Sequence, residues 1–148
     1  MIRISTKGRY GTRVMLDLAI NYGKVPILLK NIAQKQEISE GYLEQIIPSL
    51  KAAGLINSSR GAHGGYTLAK PPSEITLKEI IAALEGSLAL SECIKTPQVC
   101  NRAGFCVTRE LWDEISEKMI NTLDSKTLQD LVNKHKNKIK SQPLMYNI

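Results

Sequence analysis

Apolar side chains in the first 54 residues recur at three- and four-residue spacing, which is the period of an amphipathic helix. One such segment runs from Ser5 to about Tyr22 and is followed by Gly23, a residue that often ends helices. A second, shorter helix is predicted from Leu29 to Gln36. A third is predicted from its N-cap, Ser39, to Ala53, with Pro48 inside it as the cause of a bend.

The pattern changes to short alternating runs after Gly54. Residues 55–60 and 66–69 form two such runs around the glycine-rich turn 61–65, an arrangement typical of a β-hairpin. Helix, turn, helix and hairpin follow one another in the order of a winged helix-turn-helix, and this is the domain predicted for residues 1–70. The expected fold class is therefore mainly α with a small β-hairpin wing.

Residues 71–148 are predicted to form a second, helical region. Pro71-Pro72 breaks the chain, and a helix then begins at Thr76 and is closed by Gly86. Three cysteines follow on a segment predicted to be a loop, before a long amphipathic helix that begins at about Thr108. A last short helix is predicted from Thr127 to about His135, ahead of a basic tail, residues 134–140, that we expect to fray.

The long helix carries one strongly apolar stripe, too apolar to face water on a small soluble protein. The stripe predicts that the helix pairs with a second copy of the chain, so that residues 71–148 form a dimerisation and sensor region. The residues predicted to form this dimer interface are Leu111, Trp112, Ile115, Met119 and Leu123. The chain is accordingly expected to be a homodimer.

The formal net charge of the 148 residues is +6, and its distribution is uneven. Residues 1–70 hold ten Lys and Arg against four Asp and Glu, whereas residues 71–148 hold ten against ten. A basic domain beside a neutral one is typical of a module that binds nucleic-acid phosphates, here those of double-stranded DNA. A solvated basic surface with no nucleic-acid partner is the alternative.

Other classes of protein fit the sequence poorly. No stretch approaches the roughly 18 to 20 apolar residues of a membrane span, and the first residues lack the apolar core of a signal peptide. We therefore expect a cytoplasmic protein without a membrane partner. An enzyme is not expected, because the only two histidines lie in the hairpin turn and the basic tail, and no nucleophile has a base nearby in sequence.

The third helix is the predicted recognition helix, because the second helix of a helix-turn-helix pair lies in the major groove of DNA. Its candidate contact residues are Ser39, Glu40, Tyr42, Glu44 and Gln45. Gln45 suits a bidentate pair with adenine, and Glu44 suits the amino group of cytosine. Tyr42 is more typical of a core or DNA-backbone contact. The alternative is that Glu44 and Gln45 are ordinary solvated residues.

The hairpin and the start of the first helix add candidates for contact with DNA. Arg60 stands beside the glycines of the wing, where an arginine typically enters a minor groove, and His63 is a candidate for phosphate contact. Phosphate contacts, which position the protein without reading sequence, are also predicted for Lys7, Arg9, Tyr10 and Arg13.

Cysteine occurs three times, as Cys93, Cys100 and Cys106. An odd number in a cytosolic chain argues against a disulfide framework and for metal ligation, redox sensing or buried thiols. Three thiolates on one short segment suit an iron-sulfur cluster or zinc, although both usually need a fourth ligand. Three unrelated structural cysteines are the alternative.

The sequence resembles the winged-helix family that includes the iron-sulfur assembly regulator IscR, the nitric oxide sensor NsrR and the cysteine-metabolism regulator CymR. The segments that carry the resemblance cover most of the chain: residues 5–10, 42–45, 54–55, 60–61 and 64–66, and the three cysteines with Leu111-Trp112. The resemblance implies a homodimer held by the long helix. It also implies a cluster on Cys93, Cys100 and Cys106, with 2Fe-2S favoured over 4Fe-4S.

The sequence departs from the family at the fourth cluster ligand. IscR-like members have a histidine three residues after the last cysteine, where this chain has Arg109, a poor metal ligand. NsrR-like members use an aspartate near the N-terminus, where this chain has residues Gly8-Arg9-Tyr10. The remaining candidates are water, a small thiol, Arg109 itself, Glu92 or Glu110.

Two regulatory functions therefore stand side by side. The first is a DNA-binding transcription regulator that senses an iron-sulfur cluster and controls genes of iron-sulfur assembly or sulfur metabolism. The second is a CymR-like regulator of cysteine metabolism, controlled without a cluster by a partner protein such as a cysteine synthase. CymR-like members lack the three cysteines, yet their N-terminal segment and a tail like Met145-Tyr146 resemble this chain.

Overall fold

The computed structural model describes residues 2–142. These residues form seven α-helices and one two-stranded antiparallel sheet, so the predicted class, mainly α with a hairpin wing, is confirmed. The elements are α1 (Thr6–Ile20), α2 (Leu29–Gln36), α3 (Glu40–Ala52), β1 (Ile56–Ser59), β2 (Gly65–Leu68), α4 (Leu77–Glu85), α5 (Glu92–Lys95), α6 (Val107–Asp124) and α7 (Leu128–Ser141). The CymR-like tail, Met145-Tyr146, lies outside the described residues.

The helix-turn-helix is formed by α2 and α3, within a residue of the predicted limits. Helix α2 ends where Glu37 adopts a left-handed backbone conformation (φ 55°), which turns the chain. The Ser39 hydroxyl then accepts a hydrogen bond from the Tyr42 amide at 3.2 Å and so caps α3 as predicted. Helix α3 continues through Pro48. The bend expected there stays a prediction.

The wing is the hairpin β1–β2, with Ile56 opposite Leu68 and Ser59 opposite Gly65. A bridge joins it to the segment before α2, since Ile27 and Tyr66 exchange backbone hydrogen bonds of 3.0 and 2.8 Å. Gly65 has a φ of 141°, and a Cβ there would lie 2.5 Å from the Ile27 carbonyl oxygen. Only glycine permits this close approach.

One hydrophobic core extends through both halves of the chain. Ile80 and Leu84 of α4 and Leu128 of α7 join the buried residues of α1, α2, α3 and the wing in a single cluster. Gly11 allows α4 to approach α1 closely, since a Cβ there would lie 2.4 Å from Leu84 Cδ1. The functional division at residue 70 stays a prediction, and α4 and α7 pack into the winged helix.

Helix α6 differs from the other long helices because Ser116 is its only buried residue. The Ser116 hydroxyl accepts a hydrogen bond from the Leu90 amide at 3.0 Å and donates one to the Trp112 carbonyl at 2.7 Å. Leu111, Trp112 and Ile115 remain 48%, 40% and 40% exposed. The apolar stripe is therefore only partly covered by the chain that carries it.

Two predicted features of the second half are wrong. The cysteine segment is not a simple loop, because it contains α5 and a single 3-10 turn, Pro97–Val99. The basic tail does not fray within the described residues, because α7 continues to Ser141. A capping box of Thr127 and Asp130 begins α7, and Lys138 and Lys140 lie in its last turn, where the helix dipole favours cations. None of the helices described is long and apolar enough to cross a membrane.

Candidate nucleic-acid interface and cysteine segment

The N-terminal end of α1 and the first turns of α3 meet at an open groove of about 900 Å³. It is lined by Arg3, Ile4, Ser5, Thr6, Lys7, Arg9 and Tyr42. Three of these seven side chains are cationic and none is acidic. The groove therefore suits a polyanion.

An aromatic pair joins α1 to α3 beside this groove, and two arginines of α1 flank it. Tyr10 and Tyr42 pack edge to face with ring centroids 5.8 Å apart. The guanidinium carbons of Arg9 and Arg13 lie 5.7 and 5.4 Å from the centre of the Tyr10 ring, within cation–π distance. Both tyrosines are half-buried against the core, so they orient the cations and brace α3.

Lys7 is more constrained than the sequence indicates. Its ammonium donates a hydrogen bond to the Ser49 hydroxyl of α3 at 2.8 Å, and the residue is half-buried. The positive charge thus lies between the two helices. Ser49 was not among the predicted site residues, since nothing in sequence links positions 42 residues apart.

The exposed face of α3 carries the predicted base-reading residues. Ser39, Glu40, Glu44 and Gln45 are exposed, whereas Leu43, Ile46 and Ile47 are buried in the core. This division follows from helical periodicity. The side chains of Glu44 and Gln45 are therefore free to reach a ligand outside the protein.

The wing tip presents the remaining predicted contacts. Arg60 and His63 are both exposed, in a turn where Gly61 has a φ of 96°. Sequence reasoning missed Lys51, which is exposed in the last turn of α3 and donates a hydrogen bond to the Ser58 hydroxyl of β1 at 2.7 Å. Lys51 thus adds a cation between α3 and the wing.

The cysteine segment lies outside the core. No residue from 86 to 115 is buried, and Cys93, Cys100 and Cys106 are each half-buried. The Cys93 sulfur lies 3.1 Å from the Ser91 hydroxyl, and the Cys106 sulfur 3.2 Å from the Thr108 hydroxyl. The interpretation of the cysteines as buried structural thiols does not fit this placement.

The Arg109 side chain contacts the backbone of the cysteine segment. Its Nε donates a hydrogen bond to the Cys93 carbonyl oxygen at 2.9 Å and so fastens α5 to the first turn of α6. A guanidinium held in this way has no lone pair to offer a metal. In this arrangement Arg109 is a brace rather than a ligand.

The environment of Cys106 favours its thiolate. The Thr108 hydroxyl, followed by the backbone N–H of Arg109 and the charge of Arg102, lowers the pKa of the Cys106 thiol below its ordinary value. Cys106 is also the N-cap of α6, where the helix dipole favours a negative charge. The thiolate is the form that binds metals and reacts with oxidants.

The cysteines match an iron-sulfur cluster in chemistry and only partly in position. Thiolates are the usual ligands of such clusters. Across residues 2–142, however, no three Cys, His, Asp or Glu side chains lie close enough together to hold a metal ion. Binding would require the segment to rearrange, which its lack of buried residues permits.

Residues 4–134 match the model of a protein family described as an iron-dependent transcriptional regulator, Rrf2. This chain belongs to the Rrf2 family. The match spans the helix-turn-helix, the wing, the cysteine segment, α6 and the first half of α7. The resemblance inferred from the sequence is thereby confirmed.

Relatives within the Rrf2 family carry different regulatory names. The regulator CymR of Bacillus subtilis is 44% identical over 130 residues, 88% of this chain and 89% of the relative. Protein rrf2 of Nitratidesulfovibrio vulgaris is 41% identical over 131 residues, 88% of this chain and 87% of the relative. The structure of T. potens IscR superposes with a TM-score of 0.78 at 41% identity, covering 98% of this chain and 96% of IscR.

These similarities establish the general function. The chain is a DNA-binding transcriptional regulator of the Rrf2 family, and the regulatory names of its relatives agree with the prediction that it is not an enzyme. IscR and CymR relatives match it about equally well, at 41% and 44% identity.

Proposed function

We propose that this chain is a homodimeric transcription regulator whose binding to double-stranded DNA responds to an iron-sulfur cluster on Cys93, Cys100 and Cys106. The observation that carries the proposal is the placement of all three cysteines, half-buried, on a segment with no buried residue. Cysteines so placed add little to the core and are open to a ligand or an oxidant.

Three exposed elements support the DNA-binding half of the proposal. Helix α3 enters the major groove, where Gln45 and Glu44 meet base edges. Arg60 at the wing tip enters the adjacent minor groove, with His63 near a phosphate. Arg9 and Lys7 at the α1 groove contact the phosphate backbone, which the positive lining of that groove favours.

The α6 stripe supports the homodimer. Leu111, Trp112 and Ile115 are large apolar residues at least 40% exposed on one helix, and a second copy of α6 covers them. Met119 and Leu123 continue the stripe at the wall of a groove formed with residues 2–4 and 87–90. The first half of the predicted interface, residues 111–115, thus faces solvent. The second half, Met119 and Leu123, lies against other residues of the same chain.

The presence and the oxidation state of a bound cluster would depend on iron, sulfide and oxidants. Cys93, Cys100 and Cys106 would hold it. Glu92, Glu110, a water molecule or a small thiol remains for the fourth position, because Arg109 is engaged with the Cys93 carbonyl. We favour the 2Fe-2S type. Gathering the three thiolates would reshape the segment between α4 and α6. Helix α4 packs on the winged helix, and α6 carries the dimer stripe.

The alternative is a CymR-like regulator controlled by a partner protein. It is favoured by the 44% identity to CymR and by the separation of the three cysteines in the described structure. In this alternative a protein such as a cysteine synthase supplies the signal, and the cysteines carry no cluster.

Anaerobic purification followed by reconstitution with iron and sulfide separates the two functions. We expect visible absorption and an electron paramagnetic signal after reduction, both lost in the Cys93→Ala, Cys100→Ala and Cys106→Ala variants. DNA affinity should differ between cluster-loaded and cluster-free protein. A colourless product that binds its operator identically with all three cysteines replaced would show that the cluster proposal is wrong and favour the partner.

A further inference from the structure

Glu85, the last residue of α4, is hydrogen-bonded to Ser5, the N-cap of α1. Its Oε1 accepts two hydrogen bonds from Ser5, one from the backbone N–H at 2.9 Å and one from the hydroxyl at 2.6 Å. The Ser5 hydroxyl in turn accepts from the Gly8 amide at 3.0 Å. A carboxylate therefore lies at the positive end of the α1 dipole, where it is stabilising.

The contact is built into the local sequence. A Cβ on Gly8 would lie 2.1 Å from Glu85 Oε1, so a larger residue at position 8 would displace the carboxylate. Gly11, one turn later, admits Leu84 in the same way. Two glycines on one face of α1 thus allow the end of α4 to reach Ser5.

Ser5 belongs to the basic groove, and residues on both sides of it carry the charge. Arg3 precedes it, and Lys7 and Arg9 follow it, all lining the same groove. Residues 2–4 precede the first helix and have no secondary structure of their own. The two hydrogen bonds to Glu85 therefore hold the N-cap of α1, next to the residues that carry the charge of the groove.

Glu85 also adjoins the regulatory half of the molecule. It directly precedes Gly86 (φ 81°), the first residue of the stretch that contains no buried side chain. With Met119 and Leu123 of α6 it lines a groove of about 430 Å³. Glu85 therefore lies between Ser5 on one side and the start of the cysteine segment and α6 on the other.

We propose that Glu85 is a positioning residue for DNA binding. It holds the start of α1 where Lys7 and Arg9 reach phosphates, and it links that placement to the cysteine segment. The inference rests on the proposed function, in that the basic groove at α1 is the surface that contacts DNA.

The test measures the salt dependence of DNA binding, which counts phosphate contacts, in cluster-free Glu85→Ala, Glu85→Gln and wild-type protein. Each lost phosphate contact lowers the slope of log K against log salt by about 0.9. We expect Glu85→Ala to lose about one to two units of slope. Glu85→Gln, whose amide oxygen still accepts hydrogen bonds, should retain most of the slope.

Glu79→Ala is the matched control. Glu79 lies on the same helix, pairs with Lys70 at 2.9 Å and completes the capping box of α4, so its loss weakens α4 without touching Ser5. A merely structural role for Glu85 would make both alanine variants less stable to urea and leave both slopes unchanged. Ser5→Ala removes one of the two hydrogen bonds to Glu85 and also the cap that the hydroxyl gives the Gly8 amide. Its slope should fall between those of wild type and Glu85→Ala, and it replaces Glu85→Ala if that variant does not fold.

The outcomes separate this inference from the function on which it rests. If wild-type protein does not bind DNA, or if Lys7→Ala leaves the salt slope unchanged, the proposed use of the groove is wrong. If Lys7→Ala lowers the slope and Glu85→Ala does not, only the positioning role is wrong. We also expect the difference in slope between cluster-loaded and cluster-free protein to shrink in Glu85→Ala.

Discussion

Most side chains of α3 face either the core or the solvent, and this division decides which residues are available to read DNA. Leu43, Ile46 and Leu50 are fully buried, so substitutions there act through stability. Glu44 and Gln45 are exposed and contribute little to the core. Their substitution therefore tests recognition without unfolding the domain.

We expect Gln45→Ala and Arg60→Ala each to weaken binding to the specific operator by about 1 to 3 kcal/mol, because both side chains are exposed and we propose that they meet base edges. Binding to random DNA should change less. Fluorescence anisotropy with both duplexes at one salt concentration measures the difference. Lys136→Ala, which removes an exposed cation of α7, is the control and should change neither affinity.

Arg109→His restores the residue that IscR-like members carry three positions after the last cysteine. We expect the reconstituted variant to keep its visible absorbance longer in air than wild type, because histidine supplies the fourth ligand that arginine does not. Arg109→Gln is the control, since it removes the brace to the Cys93 carbonyl without adding a ligand. Equal lifetimes for the histidine and glutamine variants would contradict the expectation.

The sequence was sufficient to predict the roles of residues that act on their near neighbours along the chain. The caps Ser39 and Thr76 begin the helices expected of them, because an N-cap interacts with residues only three positions away. Ser5 and Glu85 are 80 positions apart, and no local pattern connects them. Asp17 is similar: its side chain is 1% exposed and pairs with Lys35 of α2, which only the packing of α1 on α2 reveals.

Among the long helices, α6 buries the fewest of its own side chains. It is 18 residues long, yet buries only Ser116. A helix usually obtains its stability from burying an apolar face rather than from intrinsic propensity. In the proposed homodimer, a second copy of the stripe would provide that burial.

We expect Ile115→Asp to convert the dimer to a monomer, because a carboxylate at the centre of the stripe would have to be desolvated without a partner. Sedimentation or light scattering measures the mass. Glu117→Lys changes the charge of α6 by a larger amount at an exposed position off the predicted stripe and should remain dimeric. A dimeric Ile115→Asp would mean that the subunits associate through another surface.

Helix α7 should show a pH dependence at its first turn. Hydrogen bonding from the Thr127 backbone N–H lowers the pKa of the Asp130 carboxyl. A carboxyl with a lowered folded-state pKa stabilises the fold above its unfolded pKa and loses that effect as pH falls through the folded value. We therefore expect the melting temperatures of wild type and Asp130→Ala to differ at pH 7 and to converge below about pH 4. A constant difference across this range would contradict the role of the charge.

The three amphipathic helices α1, α3 and α6 were predicted well, whereas α5 and the second half of α7 were not, for a physical reason. Helical periodicity needs two or more turns to become visible, and α1, α3 and α6 have them. Helix α5 has four residues, too few to show a period. The buried residues of α7, Leu128 and Val132, lie in its first half, so burial does not mark where the helix ends.

At the scale of the whole molecule, the basic residues 1–70 and the neutral helices that follow them share one hydrophobic core. Leu128 and Val132 of α7 pack in the same cluster as Val14 of α1. Sequence predicted the uneven charge correctly, because charge is additive along the chain. It did not show that the last helix completes the first domain, because this depends on tertiary packing.

A homodimer with one winged helix in each subunit predicts the form of its operator. Two-fold symmetry should give a pseudo-palindromic site whose half-sites lie about one helical turn, or a multiple of it, apart. Footprinting of the wild-type dimer should show two equivalent protected half-sites. Ile115→Asp should protect one half-site weakly at high protein concentration. A single asymmetric footprint for the wild-type protein would contradict the symmetric arrangement.

The bridge between Ile27 and Tyr66 has a consequence for the DNA. Two backbone hydrogen bonds fasten the wing to the chain just before α2, so the wing tip keeps a set distance from α3. If α3 and the wing cannot move relative to each other, the DNA duplex has to change shape to contact both. Sequences whose minor groove already has the required width, or whose flexible steps yield cheaply, are then preferred at base pairs that no side chain touches.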